Sequence, residues 1–119
     1  MRVLVVDDDP MQLELVERAL SRDGFEIRTA SDLGQLAQIA KQQLPEIVLI
    51  DVNMPDVTGE QVIAVARDAA PRARLILYSA WEESRLRSLA NKLGADGYLS
   101  KSESVIAIGK RLRDLRGTS

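Results

Sequence analysis

Three consecutive aspartates, Asp7, Asp8 and Asp9, close the apolar run "VLVV"; Asp51 closes a second run, "EIVLI", and Ser79 and Lys101 stand at the ends of two more. Carboxylates about 4 Å apart repel by about 4 kcal/mol per pair in an effective dielectric of about 20, so such a cluster calls for a cation. With no histidine and no cysteine in the chain, the common imidazole and thiolate ligands are missing. A hard, oxygen-bound ion is what remains, and Mg²⁺ is the natural candidate. Beside that ion, the Lys101 ammonium and the Ser79 hydroxyl would give an incoming phosphoryl group two cations for its charge and a hydroxyl for its oxygens. Asp51 would then be a nucleophile that forms an aspartyl-phosphate. Each residue alone also has an ordinary structural reading. An aspartate can cap or turn a strand end, Lys101 can be a solvated charge or a counter-ion, and Ser79 can be a turn former.

The elements that must bring these groups together are legible as patterns. "RVLVV" (2–6), "EIVLI" (46–50), "RLILYS" (74–79) and "GYLS" (97–100) read as strands, and "FEIRT" (25–29) alternates as a weaker one. Runs without alternation predict strands covered on both faces. Between them apolar residues recur at helical spacing: Leu13, Val16, Leu20; Leu33, Leu36, Ala37, Ala40; Val62, Val65, Ala66, Ala69; Leu86, Leu89, Ala90, Leu93; and Val105, Ile108, Leu112, Leu115. Gly24 and Gly94 read as helix C-caps, Ser31 and Ser102 as N-caps, and Pro45 and Pro71 as breaks between a helix and the next strand. Asp9 followed by Pro10 reads as a helix start, so the triple acid divides into two acids for chemistry and one cap. The order is (βα)5, which predicts right-handed crossovers and a parallel sheet between helical layers. In such sheets ligands bind beyond the carboxyl ends of the strands, where Asp7, Asp8, Asp51, Ser79 and Lys101 would meet.

A length of 119 residues is one domain, 1–119, with no room for an output module beside it. The 45% hydrophobic and 29% charged content is that of a folded globular chain. A net charge of −2 offers no electrostatic reason for binding nucleic acid or anionic lipid. No apolar run approaches the roughly 20 residues of a membrane span, and Met1 leads into a strand rather than a signal peptide, so no membrane insertion and a cytoplasmic setting are expected.

Four segments, "VLVVDDDP" (3–10), "PEIVLIDVNMPDVTG" (45–59), "LILYSA" (75–80) and "GADGYLSK" (94–101), occur in this order at these spacings. On them the chain resembles a two-component response-regulator receiver domain over essentially its whole length. The resemblance implies a doubly wound, flavodoxin-like sheet of strand order 2-1-3-4-5 that is phosphorylated on Asp51 by a sensor histidine kinase or a phosphotransfer protein. It implies that Asp8 and the Asp51 carboxylate bind Mg²⁺ directly, with the backbone carbonyl of Asn53, and that Asp7 acts through water. It gives Ser79 the family's hydroxyl position, Lys101 the phosphate-binding lysine and Tyr98 the aromatic switch. Phosphorylation would then draw Ser79 in, let Tyr98 turn inward and change the surface of the fourth helix, fifth strand and fifth helix, which binds a downstream protein.

Receivers commonly carry proline after this lysine, whereas Ser102 follows Lys101 here, and a trans bond is expected because a non-proline cis bond costs about 2.5–4 kcal/mol. Met54 and Pro55 shape the loop after Asp51, and Gly59 allows a turn before the third helix. Tyr98 can also be a core aromatic. Trp81 either shields the acyl phosphate from water or covers the fourth helix. The basic end "KRLRDLR" reads first as a solvated helix face and second as a partner or homodimer contact. Two other functions compete. One is a haloacid-dehalogenase-type phosphatase, which expects a second aspartate where Asn53 stands; the other is a receiver-like module that is never phosphorylated.

Overall fold

A computed structural model describes residues 1–54, 57–101 and 105–117. Strands β1 (Arg2–Val6), β2 (Glu26–Ala30), β3 (Ile47–Asp51), β4 (Arg74–Ser79) and β5 (Gly97–Ser100) alternate with helices α1 (Pro10–Arg22), α2 (Leu33–Gln43), α3 (Gly59–Ala69), α4 (Glu83–Leu93) and α5 (Val105–Gly117). All strand pairs are parallel, as the βα alternation predicts, and the sheet order is β2-β1-β3-β4-β5, as the resemblance implies.

The unalternated strands are explained by a core on each face. Val3, Val5, Ile47, Leu49 and Ile76 pack with Leu13, Val16 and Leu20 of α1 and Ile108 and Leu112 of α5. Their neighbours Leu4, Val6, Val48, Ile50, Leu75 and Leu77 pack with Leu36, Ala40, Val62, Ala66 and Ala90 of the other three helices. Burial of each large side chain contributes about 1.5–3 kcal/mol, and every residue of β3 is buried. This fixes the height at which Asp51 leaves the sheet.

Local signals differ from expectation at several helix ends. The N-cap of α2 is Asp32, which accepts from the Gln35 amide at 2.8 Å, rather than Ser31, whose amide donates to the Gln35 side chain. Carboxylate and hydroxyl were both available, and the residue next to the first turn holds the cap. Gly94 caps α4 at φ 73°, while the C-cap of α1 is Asp23, with Gly24 one residue beyond at φ 87°. Helix α3 starts with a Thr58–Gln61 capping box, and Gly59 is its first residue rather than part of a preceding turn. Its missing side chain is explained by packing: a Cβ there would lie 2.8 Å from Leu93 Cδ1. The expectations for Pro55, Ser102, the Lys101–Ser102 bond and the side chains of Val105 and Leu115 lie outside the described residues.

Candidate functional site

The strand order reverses between β1 and β3, and there the acids meet. Asp7 directly follows β1 and is 2% exposed, whereas Asp51 ends β3 at 5% exposure. Asp8 is exposed, and one carboxylate oxygen each of Asp7, Asp8 and Asp51 lies within 4.8 Å of the others. Asp7 is fixed through the backbone: its amide donates to Ala30 O at 3.1 Å, and its Oδ1 accepts from the Asp9 amide at 2.9 Å. Asp9 turns away to cap α1, accepting from the Met11 amide at 3.0 Å with Pro10 as the first helical residue. The triple acid therefore splits as its sequence suggests.

From the other side β4 and β5 supply the remaining groups. Lys101 Nζ lies 3.4 Å from Asp7 Oδ2 and 3.5 Å from Asp51 Oδ1. Its backbone is pinned by a 2.7 Å bond from its amide to Ser79 O, and its ammonium stands 5.2 Å from the centre of the Tyr78 ring. Ser79 is fully buried, and its Oγ accepts from the Trp81 amide at 3.2 Å. Asn53 is exposed; its amide donates to Asp51 Oδ1 at 3.1 Å.

Burial pushes the Asp51 carboxyl up to about 6; the Asn53 amide opposes this, Asp7 adds to it and Lys101 counteracts it. Burial, followed by the Asp7 and Asp51 charges, pushes the Tyr78 phenol up to about 12, so it stays neutral beside the acids. When Asp51 ionises, three carboxylates face one ammonium, leaving two negative charges in a partly dry pocket. With only oxygen donors present, that charge and donor set fit a hard divalent cation.

Tyr98 sits on β5 facing α4. Its hydroxyl donates to Glu83 Oε1 at 3.2 Å and accepts from Arg87 Nε at 3.1 Å. A cavity of about 300 Å³ lies beside it, lined in part by Trp81, Ser100 and Arg111. The Trp81 ring is half-buried and covered by the Arg85 guanidinium at 3.7 Å. Sequence reading placed all the acids, Ser79, Lys101 and Tyr98. It missed Tyr78 and the Glu83–Arg87 clasp, although the i, i+4 acid–base spacing on α4 was a visible signal. No described helix is long and apolar enough to cross a membrane.

The sequence pattern of the response regulator receiver domain matches residues 3–113. A probable transcriptional regulatory protein of Mycobacterium tuberculosis, TcrX, is 35% identical over 95% of this chain and 48% of its own length. A second from the same organism, the probable transcriptional regulatory protein NarL, is 36% identical over 95% of this chain and 53% of its own. The chain thus spans about half the length of these curated relatives. Among solved structures, the signal receiver domain of the putative response regulator NarL of M. tuberculosis is 34% identical with a TM-score of 0.81, over 99% of this chain and 97% of that one. The chemotaxis protein CheY4 of Vibrio cholerae has the same fold, with a TM-score of 0.84 at 24% identity over 96% of this chain and 97% of its own.

Proposed function

Because the chain belongs to the response regulator receiver domain family, we propose that it is a phosphorylation-controlled switch that accepts its phosphoryl group on Asp51. The observation that carries this reading is the Lys101 ammonium held 3.4 and 3.5 Å from two carboxylates that are almost fully buried. Asp8, Asp51 and the backbone carbonyl of Asn53 would hold Mg²⁺ directly and Asp7 through water. When bound, the ion supplies positive charge for the carboxylates and for the phosphoryl oxygens.

An Asp51 carboxylate oxygen attacks the phosphorus of a phosphohistidine on a sensor kinase or phosphotransfer protein; the P–O bond forms as the P–N bond breaks, and the imidazole leaves to take up a proton. The donor histidine lies outside these 119 residues, which contain none. Lys101 then exchanges its carboxylate partners for a phosphoryl oxygen. The Ser79 hydroxyl, which now accepts from the Trp81 amide, turns to donate to another. Space opens beneath Tyr98, whose hydroxyl must leave Glu83 and Arg87 before the ring can turn in. The clasp sets the resting state, so α4, β5 and α5 change surface only when phosphoryl contacts outweigh it.

Residues 1–119 form the receiver unit in this reading, and output passes to a protein partner on that surface in a cytoplasmic setting. The relatives' names point to transcriptional control at the far end of the pathway. A small phosphodonor such as acetyl phosphate, with and without Mg²⁺, tests the reading. A stable Mg²⁺-dependent label on the wild type that is absent from Asp51→Ala supports it. Release of phosphate from added phosphomonoesters favours the phosphatase, in which Asn53 must do without its acid–base carboxyl. No label under either condition favours a silent module.

A further inference from the structure

At the opposite end of the sheet, the starts of β1, β3 and β4 surround a second cavity, of about 640 Å³. Its floor is apolar, from the buried Pro45, Ile47 and Ala73, and its outer wall carries Arg2, Arg72 and Arg74. Glu46 is the one acid among the lining residues. Three guanidiniums against one carboxylate leave an excess of two positive charges, on a chain whose net charge is −2. The walls are braced by the backbone. The Arg2 amide donates to Glu46 Oε1 at 3.3 Å, the Arg74 amide donates to Glu46 O at 2.9 Å, and Arg2 Nε donates to Leu44 O at 3.0 Å.

Leu44 supplies an independent observation. It ends α2 in the left-handed region, at φ 53° and ψ 63°, and is the only non-glycine residue with positive φ among the described residues. Glycine would make this turn without strain. A leucine is disfavoured there, and its side chain is no part of the core, being 62% exposed. What the leucine adds is an apolar side chain at the mouth of the cavity.

We propose that this cavity is a binding site for a small amphiphilic anion, with a single carboxylate or phosphate head and an aliphatic body. The volume lies within the roughly 300–1,000 Å³ usual for small-molecule sites. The guanidiniums take the head by paired, charge-assisted hydrogen bonds, while Leu44 and Pro71, which line the cavity and are exposed, cover the body. A metal cation is repelled by the rim. A nucleotide base finds no aromatic ring among the lining residues on which to stack.

Sodium decanoate below its micellar concentration is a suitable probe, followed by amide NMR on the whole chain. Saturable shifts confined to residues 2, 44–47 and 70–74 are expected, with decanol, which has the same body and no charge, binding more weakly. Arg72→Ala and Arg74→Ala should each weaken decanoate by about tenfold or more, and Leu44→Gly should raise the melting temperature while weakening decanoate. The proposal fails if the shifts centre on the acids at the other end, if decanol binds as well as decanoate, or if both arginine variants keep wild-type affinity. It fails equally if an acidic peptide saturates the site where decanoate does not. Arg72 is exposed, so its variant remains informative should Arg74→Ala fold poorly.

Discussion

The two ends of one sheet handle charge in opposite ways. At the carboxyl ends of the strands, Asp7 and Asp51 are held at 2% and 5% exposure beside each other, with Lys101 19% exposed between them. At the amino ends, Arg2 and Arg72 stand in water around an apolar cavity. The first arrangement stores unfavourable electrostatic energy, because desolvated like charges are costly; the second keeps its charges in water and is relaxed in that sense, its strain confined to the Leu44 backbone. On the proposed reading, the contrast separates reactivity from capture: phosphoryl chemistry at the strained end, and binding of an anion at the relaxed one.

The largest expected effect breaks the chemistry of the strained end. Asp51→Ala should lower phosphodonor labelling by about 1,000-fold or more, as loss of a nucleophile does, while Arg72→Gln leaves labelling rates unchanged. Equal losses in the two variants would erase the contrast.

Stability sharpens it next. The folded carboxyl of Asp51 titrates near 6 instead of 3.8, so the metal-free folded state favours its protonated form. That contribution is complete below about pH 3.8 and is lost as pH rises through about 6, leaving a cost on the order of 2–3 kcal/mol at neutral pH. Asp51→Asn should therefore raise the urea midpoint at pH 7 without divalent ions and remove that part of the pH dependence. Arg72→Gln at the relaxed end should change stability by less than about 0.5 kcal/mol. A destabilised Asp51→Asn would contradict the strain.

Within the acidic triplet, Asp8→Asn should weaken Mg²⁺ by about tenfold or more in a titration, the loss of one charged ligand. Asp9→Asn should leave Mg²⁺ nearly unchanged, since asparagine caps a helix as well as aspartate does. Equal weakening would move Asp9 into the site.

The smallest effect concerns the clasp on Tyr98. Arg87→Ala removes an exposed contact worth at most about 1 kcal/mol, so the inward population of the ring, read from its NMR shifts, should rise no more than about fivefold. An unchanged ring environment would show that the clasp holds nothing.

Fold and site were legible to different depths for physical reasons. The strands β1, β3 and β4 are buried on both faces, so their composition alone marks them, and Asp7, Asp51 and Ser79 stand where those runs stop, while Lys101 follows the shorter β5. Helix caps were harder: Ser31 and Asp32 are adjacent and both can cap, and only the position of the first turn decides between them. Leu44 was not legible, because leucine gives no sequence signal for a left-handed turn. The clasp of Glu83 and Arg87 on Tyr98 joins residues 11 and 15 positions apart, and Tyr78 under Lys101 depends on β4 and β5 lying side by side. The Glu83–Arg87 spacing is a local signal, but that the pair meets Tyr98, and that Tyr78 lies under Lys101, comes from tertiary register.

The central claim is that the phosphoryl group goes to Asp51 rather than to its acidic neighbours. Wild-type protein labelled by acetyl phosphate with Mg²⁺ can be reduced with borohydride, which converts an aspartyl-phosphate to homoserine, and then mapped by peptide mass spectrometry. Homoserine at position 51 alone is the predicted result. Homoserine at position 7 or 8, or none in protein that has taken up phosphate, would contradict it.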